Sequence, residues 1–109
     1  MVYYDKKRFI TFPGENQIFI INTDIDQYKL VRKIEVPGSK WICGVCMLNK
    51  NMLLTGEQAK IIRQWKIEED NLILVSKKEN AHDNDITVLL NIGNGFIASG
   101  SEDYSIKIW

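Results

Sequence analysis

The chain has 109 residues, of which 45% are hydrophobic and 26% charged, enough apolar material for a packed core. Fourteen Lys+Arg balance fourteen Asp+Glu, so no net field draws it toward nucleic acid or an acidic membrane surface. The charged N-terminus Met1–Arg8 and the shortness of runs such as Ile18–Ile21 and Leu72–Val75 point away from a signal sequence or a membrane span, and toward an intracellular protein.

Written in rows of 44 residues, the chain aligns with itself without gaps. Thr11, Thr55 and Ser99 share one column, Ile18, Ile62 and Ile106 a second, and Ile21, Trp65 and Trp109 a third. Ile42 stands over Ile86 and Gly56 over Gly100, and the first two rows also share Leu30/Leu74, Val31/Val75, Lys33/Lys77 and Glu35/Glu79. A period of about 40–45 residues is that of a blade of four strands.

In chain order, Tyr3 and Tyr4 begin the first row in the column of an inner strand. The second row reads as four strands, Ile42–Leu48, Met52–Gly56, Ile61–Ile67 and Leu72–Lys77, separated by polar turns. The third repeats the order with Ile86–Leu90, Phe96–Ser99 and Ser105–Trp109, broken at Gly93-Asn94-Gly95 and Ser101-Glu102-Asp103. No segment has the period of an amphipathic helix, so the fold class expected is all-β.

The segment from His82-Asp83-Asn84-Asp85-Ile86 to Ser99-Gly100-Ser101-Glu102-Asp103 and on to Ile106-Lys107-Ile108-Trp109 resembles a near-consensus WD repeat. The resemblance implies a β-propeller of four-stranded antiparallel blades. Residues 1–37 would be an incomplete repeat, 38–81 a repeat with a degenerate polar network, and 82–109 a repeat with the full network but without its last strand. This reading makes the chain about two and a half blades of an incomplete ring, a piece of a longer propeller whose remaining blades are its first partners.

In that family a His, a Ser or Thr, an Asp and a Trp tie the strands of a blade together, which implies His82, Ser99, Asp103 and Trp109 here. A semi-buried indole N–H, hydroxyl and imidazole each need a partner, and the network supplies them. In the second repeat only Thr55 and Trp65 remain, because Gly38 and Ala59 hold the other two positions. The first has Glu15 and Ile21 in the Asp and Trp columns. Those two repeats are therefore expected to rest on apolar packing. Ser99, His82 and Asp103 also have the residue types of a hydrolytic triad, but no oxyanion-hole loop accompanies them.

Two further motifs suggest other chemistry. Cys43-Gly44-Val45-Cys46 has the spacing of a thioredoxin-like redox pair, yet the register puts both on a strand, where residues three apart face opposite sides. One His beside two thiols is also a poor zinc site. Gly93-Asn94-Gly95-Phe96-Ile97-Ala98 has the form of a dinucleotide fingerprint, but no helix follows to meet a pyrophosphate. A tight turn between strands is the expectation.

The resemblance implies function as a non-enzymatic scaffold, without cofactor or metal, that binds a protein or peptide on one face of the propeller. By column that face carries Trp41, Cys43, Gln58, Asp85, Thr87 and Glu102, with Trp41 as the aromatic anchor. Some WD-repeat proteins dock to ubiquitin ligases as substrate adaptors through an Arg shortly after the Trp-Asp pair. Here Lys66-Ile67-Glu68 follows Trp65, so that signature is absent.

Overall fold

The computed structural model describes residues 2–3, 8–14, 17–22, 29–36, 41–58, 60–69 and 71–109. They form eleven strands in three antiparallel sheets, and no helix occurs among them. The first sheet runs in the order β1 (Val2–Tyr3), β2 (Arg8–Gly14), β3 (Gln17–Asn22) and β4 (Lys29–Glu35). The second runs β5 (Ile42–Asn49), β6 (Met52–Glu57), β7 (Ile62–Glu68) and β8 (Asn71–Lys78). The third has three strands, β9 (Ile86–Gly93), β10 (Phe96–Ser101) and β11 (Ile106–Ile108). Each strand pairs only with its sequence neighbours, so every sheet is a meander whose register local turns can fix.

The turns bear this out. Gly93 pairs with Phe96, leaving Asn94 and Gly95 as a two-residue loop with φ of 55° and 81°. Both values are left-handed, as a type I′ hairpin requires, and Asn-Gly adopts them at low cost. The apparent dinucleotide fingerprint is therefore a hairpin. Positive φ also recurs with the repeat: Lys60 and Tyr104, 44 residues apart, both have φ of 66°.

The alternation of strand residues gives the middle sheet two apolar faces. Leu53 and Trp65, paired across β6 and β7, turn toward the first sheet and pack with Ile10, Ile18, Ile20 and Val36. Cys46, Leu54 and Ile62 turn the other way and pack with Ala81, Ile86, Leu89 and Ile97. Each fully buried Ile or Leu contributes about 1.5–3 kcal/mol relative to exposure. The inner strands β5 and β9 approach closely where Gly44 lies: a Cβ there would stand 3.0 Å from the amide nitrogen of Leu89. Asn91 ties the same two strands, its Nδ2 donating to the carbonyl of Met47 at 3.0 Å.

The outer face of the third sheet lacks such a cover among the described residues. Ile62 is 8% exposed, whereas Ile106, in the same column, is 77% exposed. The two residues are identical, and the difference is that the second sheet has a neighbour on that face. No helix among the described residues is long and apolar enough to cross a membrane.

Candidate functional site

The four network residues of the third repeat converge. Ser99 sits in β10 and is fully buried, His82 lies in the bend before β9 at 1% exposure, and Trp109 follows β11. The Trp109 indole Nε1 donates to Ser99 Oγ at 2.8 Å, and Ser99 Oγ lies 2.7 Å from His82 Nε2. His82 Nδ1 lies 2.9 Å from Asp103 Oδ2. An ionised carboxylate only accepts, so the imidazole proton facing Asp103 sits on Nδ1; in the neutral ring Nε2 then accepts from the Ser99 hydroxyl, whose oxygen accepts from the Trp109 indole.

The turn between β10 and β11 holds Asp103 in place. Its Oδ1 accepts from the Ser105 hydroxyl at 2.6 Å and the Ser105 amide at 2.9 Å, and its Oδ2 from the Asp83 amide at 3.0 Å. The Ser105 hydroxyl bond first, then the Asp83 amide, His82 and the Ser105 amide, hold this carboxyl well below the usual range, against an opposing effect of desolvation. The connectivity Ser99–His82–Asp103 is also that of a hydrolytic triad. Ser99, however, is 0% exposed and its oxygen already accepts an indole N–H, so no carbonyl carbon can reach it.

The second repeat keeps the Trp–hydroxyl half of this network. Trp65 Nε1 donates to Thr55 Oγ1 at 3.0 Å, with both residues buried. Gly38 and Ala59, like Glu15 in the first repeat, lie outside the described residues. Nearby, Arg63 Nη1 bridges both carboxylate oxygens of Glu57 at 2.8 and 2.7 Å, the side chains being 5% and 0% exposed. The apolar packing on both faces of this sheet is joined by a buried ion pair between β6 and β7, beside the Thr55–Trp65 bond. Sequence reasoning missed this pair because charged residues default to the surface. The one available signal was that Arg63 and Lys107 share a basic column.

The loops that precede the inner strands meet the loops between second and third strands, and the same bond recurs in both repeats. The Gln58 amide donates to the Trp41 carbonyl at 3.0 Å, and 44 residues on, the Glu102 amide donates to the Asp85 carbonyl at 3.0 Å. Lys60 likewise donates to the Glu57 carbonyl at 3.1 Å and Tyr104 to that of Ser101 at 3.3 Å. Trp41, tied there through its carbonyl, is 46% exposed.

Cys43 lies among these residues. Burial, then the charges of Asp85 and Glu102, push its thiol above the ordinary range, while a hydrogen bond with Gln58 opposes them. Five of the six residues expected on the binding face therefore come together: Trp41, Cys43, Gln58, Asp85 and Glu102. The sixth, Thr87, is exposed on β9 and turns its hydroxyl to the Gly100 carbonyl at 3.4 Å.

Cys46 faces away from Cys43, buried between the second and third sheets, and burial raises its thiol as well. A reactive dithiol needs a lowered thiol pKa and both sulfurs on one side. Neither condition is met. Among the described residues no group of three His, Cys, Asp or Glu side chains is placed to hold a metal ion.

No family model matches the sequence, and no curated protein matches it. Among solved structures the chain is similar to the computationally designed Ika8 protein, in its crystal structure of packing No. 1 in P63. The TM-score is 0.70 at 18% identity, covering 98% of this chain and 31% of that one. At that identity the likeness is one of fold, and this chain spans less than a third of the designed chain's length.

Proposed function

We propose that this chain is a sector of a WD-repeat propeller and serves as a non-enzymatic scaffold for a protein or peptide partner. What supports the propeller reading is that sheet order, loop ties and left-handed residues all repeat at 44 residues, together with the His82–Ser99–Asp103–Trp109 chain. The exposed apolar face at Ile106 matches columns that are buried in the second sheet, so further blades of the same ring are the neighbours it fits. Intracellular placement goes with this reading.

The observation that carries the binding claim is the recurring loop tie, which holds the exposed Trp41 two residues from Cys43, the thiol that feels the charges of Asp85 and Glu102. An exposed aromatic on the same group of loops as two acids suits a segment bearing Lys or Arg, through cation–π contact and charge complementarity. Such an anchor supplies most of the binding energy in a small area.

Photo-crosslinking tests this. A benzophenone side chain placed at position 41 or 102 is expected to form adducts with a partner polypeptide, and one at position 50, in the turn at the far end of β5, to form none. Equal labelling from position 50 would remove the assignment of this face.

A further inference from the structure

The identities between the first two repeats concentrate in their outer strands, where Leu30, Val31, Lys33 and Glu35 recur as Leu74, Val75, Lys77 and Glu79. Even buried columns have drifted by comparison, with Ile10 over Leu54 and Ile20 over Gln64. On β8, Leu74 is 47% exposed and Lys77 is exposed although β4 of the first sheet lies against that strand, so interior packing does not demand either residue. Lysines on an outer strand guard against unwanted strand pairing, but an exposed leucine has the opposite effect.

A hollow of about 410 Å³ lies between these two strands, within the range of about 300–1,000 Å³ common for ligand sites. Both of its walls belong to four-stranded sheets with all their strands in place. Ile34 and Val36 form one apolar wall, and Trp65, Leu72 and Leu74 the other. Of the charged residues that complete it, Arg63 is held by Glu57, while Lys77 meets Glu79 at 3.1 Å in an exposed pair. A surface pair of that kind contributes little and yields readily to another carboxylate. Arg32 pairs with the core residue Ile20 across β3 and β4, so it stands on the same face as Ile34. Arg32, Lys33, Lys77 and Lys78 outnumber the acid Glu35 among the exposed residues of β4 and β8, in a chain whose net charge is zero.

We propose that the hollow between β4 and β8 binds an acidic segment of a partner polypeptide, which inserts apolar side chains against Ile34, Trp65 and Leu74 and sets carboxylates on Lys77 and Arg32. The apolar walls favour a polypeptide over a phosphate chain, which would use the cations alone. β4 and β8 are the last strands of their sheets, and β8 lies at the opposite edge from β5, the strand that follows Trp41. The two surfaces are therefore independent, and failure of one leaves the other standing.

The test uses fluorescein-labelled hexapeptides, Glu-Glu-Leu-Leu-Glu-Glu, Glu-Glu-Ser-Ser-Glu-Glu and Lys-Lys-Leu-Leu-Lys-Lys, titrated with the chain at low salt and read by fluorescence anisotropy. The first is expected to bind saturably and about tenfold tighter than either of the others. Lys77→Glu and Leu74→Ser, both at exposed positions, are each expected to weaken it about tenfold with the far-UV circular dichroism unchanged, and Lys50→Glu, in the turn after β5, to leave it as it is. No binding of the first peptide, equal binding of all three, or equal weakening by Lys50→Glu would overturn the proposal. So would tighter binding of a short oligouridylate that is lost in Lys77→Glu and kept in Leu74→Ser, which would assign the surface to nucleic acid.

Discussion

The Glu102 amide and the Asp85 carbonyl are joined at 3.0 Å, and Gln58 and Trp41 are joined in the same way 44 residues earlier at the same distance. The side chains differ completely between the two pairs, an acid pair in one and Gln with Trp in the other. The repeat is thus a property of the main chain, which fixes the loops, while the side chains on them are free to vary. That division lets one scaffold present different contact surfaces.

The main-chain repeat places Tyr104 at φ of 66°, where a side chain is strained, and leaves it fully exposed at 101%. Replacing it removes no packing. Tyr104→Asn is expected to stabilise the fold by about 0.5–1 kcal/mol, since Asn tolerates the left-handed region better. Urea denaturation with an unchanged slope and a higher midpoint would be the signature.

The Glu57–Arg63 pair is buried on both sides. Arg63→Met takes the guanidinium away from a buried carboxylate and is expected to cost about 3–5 kcal/mol, whereas adding Glu57→Leu restores much of the loss. A double-mutant cycle by chemical denaturation measures this. Additive losses would show that the two side chains do not act as a pair.

Asp103 has its carboxyl lowered in the folded state, so the unfolded chain binds the proton more readily. The resulting stability is complete above the unfolded value near 4 and is lost as pH falls through the folded value. Unfolding free energies measured at pH 6, 4.5 and 3 are expected to fall more steeply for the native sequence than for Asp103→Asn. Parallel curves would mean that Ser105, Asp83 and His82 do not stabilise the ionised form.

Cys43 is expected to react with iodoacetamide with a pH midpoint above the ordinary thiol value of about 8.5. Burial and the charges of Asp85 and Glu102 all disfavour its thiolate. Asp85→Asn with Glu102→Gln is expected to lower the midpoint. A midpoint below neutrality in the native sequence would restore the redox reading of Cys43 and Cys46.

Much of this architecture could be read from the sequence because it depends on local signals. Asn94-Gly95 specifies its hairpin, alternation sends Cys43 and Cys46 to opposite faces, and the column of Thr11, Thr55 and Ser99 marks the hydroxyl that meets Trp65 or Trp109. The Glu57–Arg63 pair was not legible, since nothing local says that two charged residues on adjacent strands will be enclosed by neighbouring sheets. Lys60 and Tyr104 carry no compositional mark of a left-handed backbone, unlike Gly or Asn. Ile62 and Ile106 show the same limit from the other side, for their burial is set by the adjoining sheet rather than by the residue.

The central claim, that the loops around Trp41 form the partner-binding face, is tested most directly by quantitative affinity capture from cell extract. The native chain is compared with Trp41→Ala, Asp85→Ala and, at the far end of β5, Lys50→Ala. Proteins held by the native chain are expected to be lost at least tenfold from the Trp41→Ala and Asp85→Ala variants and retained by Lys50→Ala. An identical set captured by all four chains would contradict the account.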